Sequence, residues 1–181
     1  MGCFNCFNKG EESCPHYSDV HPIIKAIEEA DAVIFSSPVY VLEVTGQMKC
    51  FFDHMAYRYY AHRPHPAMFK KIGVVVSTTG GVGHKGVAKS MQRQFFWWGG
   101  AKSYLLAFRL AATCWDDITE KKRQKILKAV GKTARKIIKT SGKVKHGIKS
   151  RFIFSIMKTV QNKYNWCQLD KEHWKKQGWI K

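Results

Sequence analysis

A chain of 181 residues with 45% hydrophobic content has enough apolar mass for one domain with a sizeable core, and too little for two. Its net charge of +18 is carried by one end: residues 121–181 hold 19 Lys and Arg against Asp170 and Glu172, whereas residues 1–120 hold 12 basic and 11 acidic residues, which speaks against a specific nucleic-acid-binding fold. No apolar run nears the ~20 residues that cross a bilayer and the opening Met1-Gly2-Cys3-Phe4-Asn5-Cys6 has no signal-peptide pattern, so a cytoplasmic protein with free thiols or metal-bound cysteines is expected rather than a disulfide-linked one.

Along the chain, Cys3, Cys6 and Cys14 come first, in a polar stretch with Lys9, Glu11 and Glu12 that reads as a surface loop. Plain thiols are the expectation here and no metal site is assigned; a structural zinc with His16 as fourth ligand is the alternative. Ser18 or Asp19 can cap a helix ending near Ala30, with Ile23, Ile24 and Ile27 on its apolar side and Pro22 in its first turn. Ala32-Val33-Ile34-Phe35 is a continuous apolar run closed by Ser36-Ser37-Pro38, which predicts a strand buried on both faces. Met48, Phe51, Phe52 and Met55 recur at helical spacing and predict a crossover helix over residues 45–60.

The aromatic and histidine-rich segment that follows, with Tyr57, Tyr59, Tyr60, His62 and His65, reads as core or interface packing. Ile72-Gly73-Val74-Val75-Val76-Ser77 and Tyr104-Leu105-Leu106-Ala107-Phe108 predict two further strands, separated by a helix over residues 87–98. Strands alternating with helices imply an α/β domain over residues 1–118, a parallel sheet with helices on both faces. Residues 119–181 form a basic helical C-terminal extension packed on it. Its apolar residues fall on one face of each of two helices, and residues 141–147 break between them.

In an open parallel sheet, ligands bind outside the carboxyl ends of the strands. Two loops there carry unusual chemistry. Ser36-Ser37-Pro38-Val39-Tyr40 offers hydroxyls, a fixed backbone and an aromatic face; Thr78-Thr79-Gly80-Gly81-Val82-Gly83-His84-Lys85-Gly86 lets main-chain N–H groups approach a ligand, with a cation nearby. Together they suit a planar, electron-rich ring. His84 reads as a loop histidine rather than a proton donor, and the reading requires no catalytic acid or base.

The run from Ala30 through Ser37-Pro38-Val39-Tyr40, continued by Thr45-Gly46-Gln47-Met48-Lys49-Cys50-Phe51-Phe52-Asp53-His54, resembles the centre of the NADPH-dependent FMN reductase family, which includes the iron–sulfur flavoproteins. The resemblance covers roughly residues 1–110, and the ending Trp174-Lys175-Lys176-Gln177-Gly178-Trp179 also looks like that of some members, anchoring the tail by aromatic burial. It implies a flavodoxin-like fold, usually homodimeric, binding FMN and taking electrons from NAD(P)H. The flavin ring would be held by Ser37, Pro38, Val39, Tyr40, Thr79, Gly80, Gly81 and Gly83. The acceptor would be a quinone, a nitro or azo compound, free flavin or a protein. Where members commonly carry a small residue and an asparagine after the tyrosine, this chain has Leu42 and Glu43.

The resemblance also implies an N-terminally incomplete fold: the usual order 2-1-3-4-5 places FMN between strands one and three, and strand one with its phosphate loop is not seen. Iron–sulfur members place four cysteines where Cys3, Cys6 and Cys14 stand, with Lys9 in the place of another, so a cluster is not expected. Two other readings stay open: a flavin-free remnant acting as a basic binding protein for an anionic partner, and a cysteine-centred metal or redox module.

Overall fold

The structure, a computed structural model, describes residues 3–181. The helices are α1 (Asn5–Asn8), α2 (Tyr17–Glu29), α3 (Gly46–His54), α4 (His84–Trp97), α5 (Glu120–Thr140), α6 (Ile148–Lys163) and α7 (Gln168–Lys176); the strands are β1 (Ala32–Pro38), β2 (Ile72–Thr79) and β3 (Lys102–Arg109). The three predicted apolar runs pair in parallel in the order β1-β2-β3, with Pro38 opposite Thr78 and Thr79 opposite Arg109. All three strands therefore end on one rim, which brings the loops after β1, β2 and β3 side by side.

One face of the sheet carries Val33, Phe35 and Val75 and is covered by α2, α3 and α4. Phe35 lies at the centre of this core, its ring 6.2 Å from Phe52, 6.1 Å from Phe95 and 5.7 Å from Trp98. A side chain at Gly73 would place its Cβ 2.8 Å from the Phe95 ring, so the bare backbone of β2 is what lets α4 lie this close. Lys71 closes the bottom of the layer: its buried ammonium donates to the carbonyls of Glu28 and Ala30 at the end of α2, where the helix dipole favours a cation, while burial pulls its pKa down.

The opposite face is covered less evenly. On β3 and β2, Leu106 and Val74 are buried, and α5 crosses there with Lys136 6.0 Å above the Tyr104 ring. On β1 the same face is open: Ile34 is 67% exposed and Ser36 and Pro38 are exposed. This corrects the expectation of a strand buried on both faces. A run of apolar residues signals that both faces can be buried, and α5 packs against β3, at the far edge of the sheet from β1.

Other expectations change as well: α2 begins at Tyr17 with His16 at its N-cap, so Ser18 and Asp19 lie inside the helix and do not cap it. The crossover helix ends at His54 and not near Tyr60, because Met55 N–H is shared between the Phe51 and Phe52 carbonyls, which tightens the last turn into a 3₁₀ segment, Ala56–Arg58. The cysteine stretch is not a plain loop: it forms α1 and a 3₁₀ turn, Glu11–Ser13.

α7 pins the tail. Trp174 is fully buried, stacked 4.9 Å from Phe154 with Trp179 5.0 Å away, and its indole N–H donates to the His62 carbonyl. Beside it, buried Asp170 accepts from Arg63 Nη1 at 2.7 Å and pairs with His62 Nδ1 at 2.7 Å, while Arg63 Nη2 donates to the Cys6 carbonyl. The Asp170–Arg63 pair thus joins the tail, the segment after α3 and the cysteine stretch.

Candidate functional site

The parallel register decides where the predicted residues meet. Val39 N–H donates to the Thr78 carbonyl at 3.0 Å, so the loop after β1 folds directly against the end of β2. Gly83, at φ +96°, turns the chain into α4, and a Cβ there would meet the Val39 side chain at 3.0 Å and that of Leu42 at 3.3 Å. Only glycine combines this left-handed backbone with so little space. Val39, Leu42 and Gly83 therefore form one continuous floor built from both loops.

Within the loops, the hydroxyls are organisers. Ser37 is buried, donates to the Pro38 carbonyl at 2.9 Å and accepts from Thr45 N–H at 3.0 Å, which ties the 36–40 loop to the start of α3. Thr45 in turn caps α3 by accepting from Met48 N–H. Thr79 accepts from Gly81 N–H and donates to the Val82 carbonyl, both at 3.2 Å, which shapes the glycine turn. In this geometry, Ser37 and Thr79 set the loops' shape, and the exposed surface of the loops is made by other groups.

That surface is an exposed shelf. Tyr40 is 62% exposed, Leu42 63% and Val82 65%, while Gly80 and Gly81 are exposed with open space where a side chain would stand. Pro38 lies at the edge of the shelf and is exposed on the open face of β1. The shelf's rim is a tight hairpin: Tyr40 N–H donates to the Glu43 carbonyl and Glu43 N–H to that of Tyr40, with Val41 at φ +51° and Leu42 at φ +65°. Both central residues sit in the left-handed region, which for a β-branched valine is a strained conformation, here closed by the two Tyr40–Glu43 hydrogen bonds.

The electrostatic character comes from α4. Its first turn has no acidic residue, and its N-cap is Gly83, which has no side chain to accept from the helix's opening N–H groups. Those donors and the positive end of the helix dipole sit next to the shelf. Two polar atoms beneath are buried without a partner, Ser77 Oγ and His84 Nδ1. The loop after β3, which sequence reasoning did not assign to the site, leaves the sheet on the same rim, with Leu110 N–H donating to the Thr79 carbonyl. Arg109 is exposed there, and the Thr113 hydroxyl, helped by Cys114, holds the Asp117 carboxyl below the usual range. The rule that pointed to the first two loops points equally to this one.

The cysteines form a separate cluster. Cys3, Cys6, Cys14, His16, Asp53 and His54 line a cavity of about 230 Å³, with the His16 and His54 rings 5.3 Å apart. Burial raises the Cys6 thiol, against the pull of Arg63. Among the described residues no three such side chains stand together as a metal-ligand group.

The chain is 42% identical over 99 residues to an iron–sulfur flavoprotein of Archaeoglobus fulgidus, covering 54% of this chain and 42% of that protein. It is 43% identical over 53 residues to an iron–sulfur flavoprotein of Methanocaldococcus jannaschii, covering 29% of this chain and 26% of that one. The chain thus spans less than half the length of these curated relatives. Similar solved structures include an apo NADH:FMN oxidoreductase, with a TM-score of 0.47 at 15% identity over 76% of this chain and 66% of that one. Another is the Trp repressor binding protein of Bacillus subtilis, with a TM-score of 0.45 at 20% identity over 62% and 70%. The model of the NADPH-dependent FMN reductase family matches residues 2–112, the stretch that contains the whole sheet and the rim loops after β1 and β2, and the chain belongs to that family.

Proposed function

We propose that the shelf between the 36–40 and 79–83 loops holds the isoalloxazine ring of FMN, and that the chain works as an NAD(P)H-dependent flavin oxidoreductase. The observation that carries this reading is the junction of the two loops: Val39 bonded to Thr78, and Gly83 packed against Val39 and Leu42, form one apolar floor beside uncapped N–H donors. The residues present suit such a group. Tyr40, Val41 and Leu42 offer exposed apolar area for a planar ring, Gly80 and Gly81 leave room for close approach, and partnerless Ser77 and His84 supply buried polar atoms.

When bound, FMN would accept a hydride from the nicotinamide and pass electrons to an acceptor, chemistry that belongs to the cofactor. The chain's own part is binding and electrostatics. The 79–83 main chain and the start of α4 direct N–H groups and a positive dipole toward a site that becomes more electron-rich on reduction. Exposed Lys85 and Arg109 add positive charge to the same rim. The open shelf also suits a homodimer, in which a second copy closes over the hairpin and limits water. The acceptor class remains that of the family resemblance: a quinone, a nitro or azo compound, free flavin or a protein.

The test is a visible spectrum of the purified chain after incubation with FMN and desalting. Retained flavin that bleaches anaerobically with NADPH or NADH supports the reading, and the faster donor identifies the nicotinamide. A colourless protein after reconstitution refutes it for this chain.

A further inference from the structure

The extension carries an apolar stripe that its own fold leaves uncovered. On α6, Ile148 is 87% exposed, Phe152 67% and Ile156 42%, at successive spacings of four residues. The other side of the helix is firmly docked: Ser150 and Gln161 are buried, Gln161 Nε2 donates to the Ala61 carbonyl at 2.8 Å, and Phe154 stacks on Trp174. The outward orientation of the stripe is therefore fixed.

What surrounds the stripe indicates what it meets. At ~100° per residue, Phe152 and Ile156 lie within about 80° of Ile148 around the helix. Exposed Lys149 falls just beyond Ile156 on one border and exposed Arg151 and Lys158 on the other, while exposed Ser155, Thr159 and Lys163 share the sector toward the C-terminal end of the helix. α6 contains four basic residues and no acidic one. Just past its end, Tyr164 and Trp166 stack with ring centroids 5.4 Å apart while remaining 52% and 76% exposed. In residues 121–181 the two acids are Asp170 and Glu172, and Asp170 is buried against Arg63, so little negative charge offsets this surface.

We propose that α6, with Tyr164 and Trp166, is a docking surface for an anionic lipid bilayer, lying in the plane of the headgroups. Apolar side chains at the centre, cations on both borders and amphipathic aromatics at the end match the requirements of an interfacial helix. A phosphate-rich polymer such as duplex DNA would engage the cations and gain nothing from three exposed aliphatic and aromatic side chains. No helix among the described residues is long and apolar enough to cross a membrane, so the contact is peripheral. This surface is independent of the flavin shelf.

The experiment is flotation of the full chain with vesicles of phosphatidylcholine alone and with phosphatidylserine added, at low and high salt. The expected result is binding to the phosphatidylserine vesicles, weak binding to phosphatidylcholine, and loss with salt. Phe152→Ser should lower partitioning about tenfold, because the variant gives up the apolar area that the ring would bury in the bilayer. Its thermal midpoint should stay at the parent value; Ile148→Ser, at the more exposed first turn, provides a second variant if it does not. Absence of flotation with phosphatidylserine overturns the proposal. So does binding that neither serine variant weakens and that duplex DNA competes away, which would mark a general polyanion surface. A third overturning result is a serine variant that converts a dimer to a monomer by light scattering without changing flotation, because a second copy would then cover the stripe.

Discussion

Replacing Asp170 tests whether the basic extension is part of the folded unit. Its carboxylate is buried, as is its partner Arg63, and the two groups meet at 2.7 Å. Asp170→Ala would leave a buried guanidinium without its main counter-charge, a loss of about 3–5 kcal/mol for a buried pair. Arg63 keeps the Cys6 carbonyl and a more distant Glu11, at 3.5 Å, which places the expected cost at the lower end, about 3 kcal/mol. For a chain of this size that corresponds to a fall in thermal midpoint of roughly 6–12 °C. Arg63→Met alone strands the carboxylate with only His62 beside it and should cost a similar amount. The double variant Arg63→Met/Asp170→Leu should recover most of the loss, because a well-packed apolar pair removes both buried charges together. The assay is urea and thermal unfolding followed by circular dichroism, with limited proteolysis reporting release of the tail. Single variants that each cost under about 1 kcal/mol, or a double variant whose loss is the plain sum of the two, would refute the argument that this pair holds α7 to the body.

Gly81→Val should leave the unfolding midpoint nearly unchanged, since a Cβ there meets no atom within 4 Å, yet weaken FMN binding at least about tenfold by occupying the approach to the ring; unchanged binding in a fluorescence titration would count against the shelf. Val41→Asn/Leu42→Gly converts the hairpin to residues that accept positive φ, and urea unfolding should show a gain of about 1–2 kcal/mol, with weaker flavin binding from the lost apolar area. Gly73→Ala forces the Phe95 ring to move and should cost about 1–3 kcal/mol by the same unfolding measurement. Burial lowers the pKa of His65, His146 and His173 below the ordinary 6.5, so below about that pH the unfolded chain takes up protons that the folded chain refuses. Thermal midpoints should therefore fall as pH drops through and below 6.5, and His146→Phe should reduce that slope.

Local pattern carried much of the architecture. Three apolar runs ending at Ser36-Ser37-Pro38, Ser77-Thr78-Thr79 and Phe108-Arg109 mark the strands, because buried parallel strands need continuous apolar sequence and their loops need turn residues. The rim then follows, since parallel strands end together. The same patterning shows the charge of the tail and the apolar side of α6. What a pattern cannot contain is which neighbour covers an apolar face or answers a polar group. Ile34 reads as core and is exposed because α5 packs against β3, at the other edge of the sheet. Ser37 reads as a loop hydroxyl, and its tie to Thr45 N–H, eight residues on, appears only in the folded chain. Asp170 looks like one more surface acid, yet its partner Arg63 lies 107 positions earlier and is met only when α7 docks. Hydrophobic periodicity is a property of neighbouring residues, whereas burial and ion pairing depend on contacts between segments far apart in the chain, which exist only in the tertiary structure.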